Sequence, residues 1–505
     1  MTISLKSSLL NNKGVDYLKQ AYMVVFGIDI AKGGVMSSLL TRSRMFLDNN
    51  IEANIITFDY KTDYNSIVKE LKDTGKMDTR INMYNQFQFF EERSINYSET
   101  STNINEKYDK LIDSCFTIKD NKKNELFSKE TGEYIGVKTD KSKSATLDLY
   151  HLNNMVKRVY YLNNTIIRIK EFNQKKEMVT ETFFNRKGQP FLKRYMKENA
   201  VSHIYLFTEG KHFNNNQEFG TYFLEQLIED NNENIIICDG IGSFNKIINT
   251  EHKYVQKYAM MHKNHKSIKG NIKVKEENAL ENGGSLDGII FFTDKQLNDA
   301  KQKYNLKNAY LINNFVREVK EKENYNTSKI VGTISRIDKL KGFDLLVEVA
   351  KKVVSVDKEV QFFIYGEGDN EYKDSLKKLI EQEGLTDNIK LKGYTVELDN
   401  VLSTFRCYIS TSQTETQGLS MVEAMLNGTP VVAFDVDYGP SQFIFNDVNG
   451  YLIENKNIDD MANSIIELTE DQSKAITLGK EARETILEEF DTDKIMSKWF
   501  KLLDR

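Results

Sequence analysis

Short apolar runs alternate with helical stretches in the first part of the chain, which is typical of a parallel sheet with crossover helices. A helical pattern over 35–48 separates the first two runs, and another helix is predicted to begin near residue 219. The strand candidates lie at 22–28, 53–58, 235–238, 258–262, 288–292 and 309–312. We therefore predict one α/β domain whose chain is interrupted over roughly residues 78–215.

A second region of the same kind follows. It carries five strand candidates, each followed by a helix-like segment. In chain order the candidates are KIVGTISR, VQFFIYGEG, NIKLKGY, RCYIST and TPVVAFD, between residues 329 and 435. From about residue 458 to the end the pattern is helical and charged, so a second α/β domain closed by helices is predicted.

The pattern of the interrupting segment predicts antiparallel β-structure. Asn163 and Asn164 stand between two alternating runs, as in a two-residue hairpin turn, and residues 185–188 form a second turn candidate. We interpret the segment as a domain inserted into the first α/β domain. The predicted division of the chain is 1–77, 78–215 (the insert), 216–316 and 317–505.

Length and composition fit this organisation. With 505 residues, 40% of them hydrophobic, the chain is long enough for two or three domains. No apolar run approaches the roughly 20 residues of a membrane helix, and the N-terminus lacks a signal-peptide pattern. Three cysteines argue against a disulfide framework or a cysteine-based zinc site. We expect a cytoplasmic protein.

Charge is distributed unevenly along the chain. The net charge of −5 gives no reason to expect nucleic-acid binding. Residues 151–200, however, contain eleven Lys and Arg against four Glu. This basic segment is either a solvated sheet face or a surface for a polyanion, and the sequence favours neither.

Candidate phosphate-binding groups occur in both α/β regions. Gly33 and Gly34 lie between a predicted strand and helix, where glycine lets the backbone approach a diphosphate. Such a glycine pair alone is more often an ordinary turn. In the second region, Arg336 and Lys341 follow a strand five residues apart and could bind a departing diphosphate. Exposed surface cations are an equal alternative.

Two carboxylates eight residues apart bracket a turn in the second region. Glu415 and Glu423 enclose a glycine between a predicted strand and a helix that begins near Ser420. One carboxylate could hold a sugar and the other a ribose, with backbone amides meeting a diphosphate between them. Alternatively, Ser420 and Glu423 form a capping box that only closes the helix. The predicted substrate contacts are Gln417, Gly418, Leu419, Ser420 and Glu423.

Two histidines end a predicted strand in the first region. His262 and His265 have the spacing of a zinc pair, but no third ligand is suggested nearby, so a metal site is not expected. A histidine that points into the cleft and bonds donor hydroxyls or phosphate is the favoured interpretation. The spacing does not distinguish which of the two it is.

Taken in order, these residues resemble retaining GT-B glycosyltransferases. The segment from Glu415 to Glu423 resembles the E-x7-E motif of that family, and Arg336 with Lys341 resembles its Arg/Lys pair. The segments IAKGGVMSSLLTRS, TGKMDTRINMYN, ICDGIGSF, QKYAMMHKNH and QGLSMVEAM are similar, more narrowly, to bacterial wall-teichoic-acid glycosyltransferases. The similarity runs from about residue 22 to the C-terminus.

The resemblance implies a GT-B fold of two Rossmann-like domains, with an inserted antiparallel sheet that assembles a homotrimer. It also implies transfer of N-acetylglucosamine from a UDP-sugar to poly(ribitol phosphate) with retention and without a metal or other cofactor. The catalytic residues would be Arg336, Lys341, Glu415 and His262. Gly33, Gly34 and His265 would add substrate contacts to those named above.

Other functions remain open at this stage. Similar enzymes glycosylate serine-rich or serine–aspartate-repeat surface proteins, or place glucose from UDP-glucose on poly(glycerol phosphate). From a different class, a non-catalytic GT-B partner subunit would have a degenerate donor site, whereas Arg336, Lys341, Glu415 and Glu423 are all present here. A sugar-nucleotide epimerase of the same two-domain form is disfavoured by the insert and by this set of residues.

Overall fold

The computed structural model describes residues 19–30, 33–96, 104–120, 122–229, 233–252, 254–267, 270–320 and 328–504. In these ranges, none of the helices is long and apolar enough to cross a bilayer. The strands, in chain order, are β1 (Lys19–Val24), β2 (Ile51–Thr57), β3 (Asn82–Asn85), β4 (Cys115–Asp120), β5 (Lys123–Ser128), β6 (Tyr134–Asp140), β7 (Ser144–His151), β8 (Asn154–Leu162), β9 (Thr165–Phe172), β10 (Met178–Phe184), β11 (Pro190–Lys197), β12 (Ala200–Leu206), β13 (Lys211–Phe213), β14 (Glu233–Cys238), β15 (Val255–Met260), β16 (Gly288–Phe291), β17 (Ala309–Leu311), β18 (Ile330–Ile334), β19 (Gln361–Tyr365), β20 (Ile389–Gly393), β21 (Cys407–Ser410), β22 (Val431–Phe434) and β23 (Gly450–Ile453). The helices are α1 (Gly34–Asp48), α2 (Tyr64–Asp73), α3 (Gln86–Ser94), α4 (Ile104–Asp113), α5 (Asn216–Leu227), α6 (Phe244–Ile248), α7 (Val274–Glu281), α8 (Asp294–Lys303), α9 (Phe343–Val356), α10 (Asn370–Gln382), α11 (Leu398–Ser403), α12 (Leu419–Leu426), α13 (Pro440–Phe443), α14 (Ile458–Glu470), α15 (Gln472–Glu489) and α16 (Thr492–Leu503).

Seven parallel strands form the N-terminal sheet, in the order β17-β16-β15-β14-β1-β2-β3. Strand β2 is buried at every position, because hydrophobic clusters lie on both faces of the sheet. Each strand predicted in the first region overlaps one of these strands. The chain leaves the sheet after β3 and returns with α5 and β14, so the predicted interruption is real.

The start of the insert differs from the prediction. Strand β3 pairs in parallel with β2, and Asn82 donates to Glu52 and Asn54 of that neighbour. The segment from residue 78 therefore still belongs to the N-terminal sheet. Its sequence NMYN lacks an apolar run because β3 is the edge strand and makes polar contacts, so the pattern of hydrophobic residues does not reveal it.

Ten antiparallel strands form the inserted sheet, which runs from β4 to β13 with each strand beside its neighbour in sequence. Asn163 and Asn164 join β8 to β9 with φ values of 47° and 63°, which confirms the predicted two-residue turn. Helix α4 covers one face through a cluster that includes Tyr108, Leu147 and Val159. The predicted fold class, two parallel α/β sheets with an inserted antiparallel sheet, is confirmed.

Six parallel strands form the C-terminal sheet, in the order β20-β19-β18-β21-β22-β23. The five predicted strands are present, and β21 and β22 are buried at every position. The sixth strand, β23, was not predicted. It extends the sheet beyond β22.

The last helix, α16, crosses back to the N-terminal domain, although the sequence analysis placed it with the C-terminal one. Tyr258 donates to the carbonyl of Leu502 at 3.3 Å, and Lys19 donates to that of Leu503 at 3.1 Å. The Trp499 ring meets Phe46 of α1 edge to face, with 5.3 Å between centroids. The helix therefore joins the two domains through apolar packing and hydrogen bonds.

We expect Trp499→Ala to destabilise the protein by about 3–5 kcal/mol, because Trp499 is only 1% exposed and its loss leaves a large cavity against α1. Urea unfolding measures the change. Lys498→Ala, at an exposed position of the same helix, is the matched control and should shift stability by less than about 0.5 kcal/mol. Equal urea midpoints for the two variants would show that the packing of Trp499 in α16 does not stabilise the protein.

Candidate active site

The loops that follow the strands of the two parallel sheets face each other across a cleft. The side chain of Asn264, after β15, donates to Thr414 Oγ1 of the other domain at 2.9 Å. A Cβ atom on Gly34, after β1, would lie 3.5 Å from the Leu419 side chain. Because Thr414 and Leu419 both follow β21, the carboxyl ends of the two sheets meet here, where open α/β sheets bind ligands.

The first glycine of the predicted phosphate turn immediately precedes α1. The Gly33 carbonyl accepts from the Met36 amide at 2.9 Å. No described heavy atom lies within 4 Å of the position a Gly33 Cβ would take. The helix N-terminus thus has open space in front of it, as an anion site requires. Residues 31 and 32 lie outside the described part of the chain.

Lys341 and Glu415 form the central ion pair of the cleft. Lys341 Nζ lies 2.5 Å from Glu415 Oε1, and Ser412 Oγ donates to the same oxygen at 2.7 Å. Burial disfavours the charged ammonium, but the charge and hydrogen bond of Glu415 outweigh this effect and raise the pKa of Lys341. The site therefore holds a fixed positive charge against a fixed carboxylate.

Helix α12 begins at Leu419, directly after Gly418. Gly418 has a φ of 79°, a backbone conformation that residues with a side chain rarely adopt, so a larger residue would be strained there. The capping-box alternative is wrong, because Gly418 occupies the N-cap position. Ser420 instead bonds Tyr408 Oη through its hydroxyl at 3.0 Å.

The second carboxylate of the pair lies within α12. Burial raises the pKa of Glu423 to about 7, although the charge of Arg317 opposes this rise. Glu415 and Glu423 therefore differ in kind. The first is paired with Lys341, while burial raises the pKa of the second.

Arg336 does not join Lys341 in the ligand-free cleft. Its side chain is 72% exposed and pairs with Asp338 two residues away, at 2.5 Å. Strand β18 ends before it, and the loop directs it towards solvent. The structure thus brings together Lys341, Glu415 and the start of α12, and leaves Arg336 at their edge.

His262 belongs to a buried charged group that the sequence analysis missed. Its Nε2 lies 2.8 Å from Asp239 Oδ1, and Arg42 of α1 contacts the other carboxylate oxygen. Burial opposes ionisation of Asp239, but Arg42 and His262 outweigh it and lower the pKa of Asp239. Asp239 directly follows β14, so its position at a strand end was the available signal. The histidine ring also stacks on Phe292, with 4.8 Å between centroids.

His265 occupies a different environment from His262. It is 1% exposed and stacks on Tyr438 with 5.6 Å between ring centroids. Burial, together with the charge of Lys266, lowers the pKa of His265 to about 4, so its ring is neutral at pH 7. Of the two histidines, His262 is the more accessible to the cleft, which makes it the better candidate for donor contact.

Gln417 has protein partners at both ends of its amide. Its oxygen accepts from Asn314 at 2.7 Å, and its nitrogen donates to the carbonyl of Phe292 at 3.5 Å. Asn314 lies in the segment that connects the two domains. The contacts give Gln417 a role in holding the domains together, and its predicted substrate contact stays a prediction.

The described residues contain no group of three or more His, Cys, Asp or Glu side chains arranged to hold a metal ion. The cleft offers instead a lysine and two helix N-termini as positive groups that could face an anion.

Comparisons with known proteins agree with this geometry. The family described as "Glycosyl transferases group 1" matches residues 315–485. The chain is 40% identical over 494 residues to poly(ribitol-phosphate) alpha-N-acetylglucosaminyltransferase of Staphylococcus aureus, covering 96% of this chain and 100% of that protein. It is 28% identical over 487 residues to poly(glycerol-phosphate) alpha-glucosyltransferase of Bacillus subtilis, covering 90% and 70%.

Solved structures are similar over the whole length. The crystal structure of a S. aureus TarM mutant in complex with fondaparinux, alpha-GlcNAc-glycerol and UDP matches with a TM-score of 0.92 and 39% identity, covering 96% of this chain and 100% of that one. The pneumococcal O-GlcNAc transferase GtfA with UDP and GlcNAc matches with a TM-score of 0.75 and 21% identity, covering 97% and 99%. The second match supports the fold alone.

We expect Asp239→Asn to destabilise the protein by about 3–5 kcal/mol at pH 7, because it leaves Arg42 buried without its counter-charge. The folded pKa of Asp239 lies below its unfolded value of about 3.9. Its stabilisation is therefore complete above that unfolded value and is lost as pH falls through the folded pKa. Urea unfolding at pH 7 and at pH 3 should show the difference between wild type and variant shrinking at pH 3.

Asp459→Asn serves as the control for this measurement, since Asp459 has a side chain that is 75% exposed on α14. It should change stability by less than about 0.5 kcal/mol. An Asp239→Asn variant as stable as the control at pH 7 would show that the buried ion pair contributes nothing.

Proposed function

The chain belongs to the glycosyltransferase family that includes poly(ribitol-phosphate) alpha-N-acetylglucosaminyltransferase, and from this we propose that it transfers N-acetylglucosamine from UDP-N-acetylglucosamine to poly(ribitol phosphate) in α linkage. The observation that carries the proposal is the identity of 40%, which extends over the insert as well as both sheets. A donor site alone would be shared by enzymes with other acceptors, whereas similarity through the insert also bears on the acceptor.

On the donor side, Lys341 faces the diphosphate and stabilises the negative charge that develops as the bond between the sugar and UDP breaks. Glu415 accepts hydrogen bonds from the sugar hydroxyls, and Glu423 accepts them from the ribose. The amides at the starts of α1 and α12 bind the diphosphate oxygens. Each role follows from the position of the residue in the cleft together with the family resemblance.

The reaction retains the anomeric configuration of the donor sugar. The acceptor hydroxyl approaches the sugar carbon from the side on which UDP departs. A diphosphate oxygen takes the hydroxyl proton as the new carbon–oxygen bond forms, so the protein need not supply a separate base. Positive charge from Lys341 and the helix N-termini makes a metal ion unnecessary in this proposal. Arg336 would bind the diphosphate only after breaking its ion pair with Asp338.

The proposed compartment is the cytoplasm, because the three cysteines are all free. Cys115, Cys238 and Cys407 are also buried, as expected of cysteines that serve as small apolar residues.

The relative that places glucose on poly(glycerol phosphate) is less similar, at 28% identity. The peptide-modifying relatives reach 26% over most of the chain. The acceptor proposed here is therefore ribitol phosphate rather than glycerol phosphate or protein.

We also infer that the protein forms a homotrimer through the inserted sheet. Strand β4 is an edge strand, and its Phe116 and Ile118 are 44% and 52% exposed. Phe116 stacks on Phe127 with 5.4 Å between centroids, and Phe127 contacts Tyr134, which is itself 38% exposed. An apolar patch on an unpaired strand edge is a typical site of self-association.

A transfer assay tests the function. The protein is given UDP-N-acetylglucosamine or UDP-glucose with poly(ribitol phosphate), poly(glycerol phosphate) or a serine–aspartate repeat peptide, and UDP release is measured. We expect release with UDP-N-acetylglucosamine and poly(ribitol phosphate). Release only with the peptide, or only with UDP-glucose and poly(glycerol phosphate), would replace the proposed function with that alternative. No release in any combination would favour a non-catalytic partner subunit.

Lys341→Gln tests whether the residues of the cleft catalyse the transfer. It should lower kcat by about 10²–10³-fold, because one preorganised charge at the leaving group is lost. Lys339→Gln removes the same charge from an exposed position in the same turn and should leave kcat unchanged. Similar rates for the two variants would remove Lys341 from the mechanism.

Sedimentation at micromolar concentration tests the trimer. Ile118→Lys should convert the trimer to a monomer, because a charge on the apolar edge opposes its burial. Val274→Lys, at an apolar position on α7 that is 80% exposed, should leave the trimer intact. A wild-type monomer would contradict the inferred assembly.

A further inference from the structure

A row of charged side chains crosses the face of the inserted sheet that packs on the N-terminal domain. Its members lie directly opposite one another on five successive strands, β7 to β11. This charged row consists of Asp148, Arg158, Lys170, Glu181 and Arg194. Arg168 lies two residues before Lys170 on β9 and points to the same face. Four cations and two carboxylates are therefore held together by strand register.

The two carboxylates of the charged row are used very differently. Asp148 accepts from Arg158 at 2.6 and 2.8 Å in a bidentate pair, so these two charges are satisfied by each other. Glu181 instead has three cations around it. Arg168, Lys170 and Arg194 approach its oxygens at 3.5, 3.7 and 3.7 Å. These distances exceed the roughly 2.7–2.9 Å of a strong charge-assisted bond.

The cations around Glu181 have unused hydrogen-bonding capacity. Among the described residues, neither Arg168 Nε nor Arg194 Nε has a hydrogen-bond partner, although both atoms are buried. Aromatic rings hold the guanidinium groups in place. Arg168 lies 4.0 Å from the Tyr160 ring centroid, and Arg194 lies 4.7 Å from that of Phe87. One carboxylate therefore balances three half-buried, preorganised cations, which leaves an excess of positive charge.

Some other cations of the basic segment have partners of their own elsewhere. Lys157 pairs with Glu171 at 2.8 Å, and Arg186 lies 4.0 Å from Glu91. Lys187 donates to the carbonyl of Ile95 at 2.9 Å. The sequence left a solvated face and a polyanion surface equally open. In the structure, three of these cations share one carboxylate, that of Glu181.

The three cations are partly exposed to solvent and lie beside the carboxyl edge of the N-terminal sheet. The side chains of Arg168, Lys170 and Arg194 are 22%, 25% and 16% exposed. Arg168 also lies 5.1 Å from the ring centroid of Tyr60, which follows β2. The next residue, Lys61, pairs at 2.9 Å with Asp29, in the loop that leads to the Gly33 turn. The cation cluster therefore adjoins the N-terminal wall of the cleft.

We propose that Arg168, Lys170 and Arg194 bind one phosphate group of the polyol-phosphate acceptor, which holds the polymer beside the cleft while a neighbouring unit is glycosylated. The guanidinium and ammonium groups donate to the phosphate oxygens. Glu181 keeps the cations in position when no polymer is bound, and its negative charge limits the affinity for phosphate. The inference rests on the proposed function and specifies how that acceptor is held.

The test uses the full-length Arg168→Gln/Lys170→Gln variant, in which Arg194 still balances Glu181. We expect the KM for poly(ribitol phosphate) to rise about tenfold with kcat unchanged. The KM for UDP-N-acetylglucosamine and the rate with a single ribitol-phosphate unit as acceptor should not change. Lys141→Gln/Lys143→Gln, which removes two exposed charges from the turn between β6 and β7, is the matched control and should leave all constants unchanged.

Glu181→Gln gives an independent measurement in the opposite direction. Removing the competing carboxylate should tighten binding of poly(ribitol phosphate), measured without donor, about threefold. An unchanged polymer KM in the double variant would overturn the proposal even if Glu181→Gln fails to fold. A wild-type protein that transfers no sugar to polyol phosphates would instead overturn the proposed function. If the wild type glycosylates the polymer and neither variant changes polymer binding, only the proposed phosphate site would be overturned.

Discussion

Parallel pairing of strands is the constraint on which the rest of this protein depends. All strands of a parallel sheet end at one edge. Because these edges of the two domains face each other, the loops that follow the strands lie at the same cleft. Gly34, Asp239 and His262 come from one sheet, and Lys341 and Glu415 from the other. Contacts such as that of Asn264 with Thr414 keep the two edges facing each other. The helix α16 adds a connection on the far side of the cleft, because it packs on α1.

Within that cleft, burial gives chemically similar groups opposite properties. Glu415 is paired with a lysine, whereas burial raises the pKa of Glu423, eight residues further on, to about 7. Asp239 is buried too, yet Arg42 and His262 hold it ionised. For Asp239 the charges of Arg42 and His262 outweigh burial, whereas for Glu423 the charge of Arg317 does not.

Periodicity in the sequence predicts those parts of the fold whose side chains are buried on both sides. The runs at β21 and β22 are short and largely apolar, and each was found. The polar edge strand β3 lacks such a signal, and the return of α16 to the first domain is a tertiary contact that local pattern does not contain. In the site, spacing left the roles of Lys341 and Glu415 open, and the family resemblance singled them out. Asp239 had only its position at a strand end as a signal, because its pairing with Arg42, nearly 200 residues earlier in the chain, is a tertiary contact.

Charge counting along the sequence has the same limitation. Eleven cations in the basic segment suggest a uniformly positive surface, but cross-strand register decides which of them are neutralised. Lys157 and Arg158 each face a carboxylate on a neighbouring strand, whereas Lys170 and Arg194 share Glu181 with Arg168. A shift of register by one residue would send these side chains to the opposite face and disperse the cluster. The positive charge that remains available to a ligand is therefore a property of strand pairing, and composition alone could not place it.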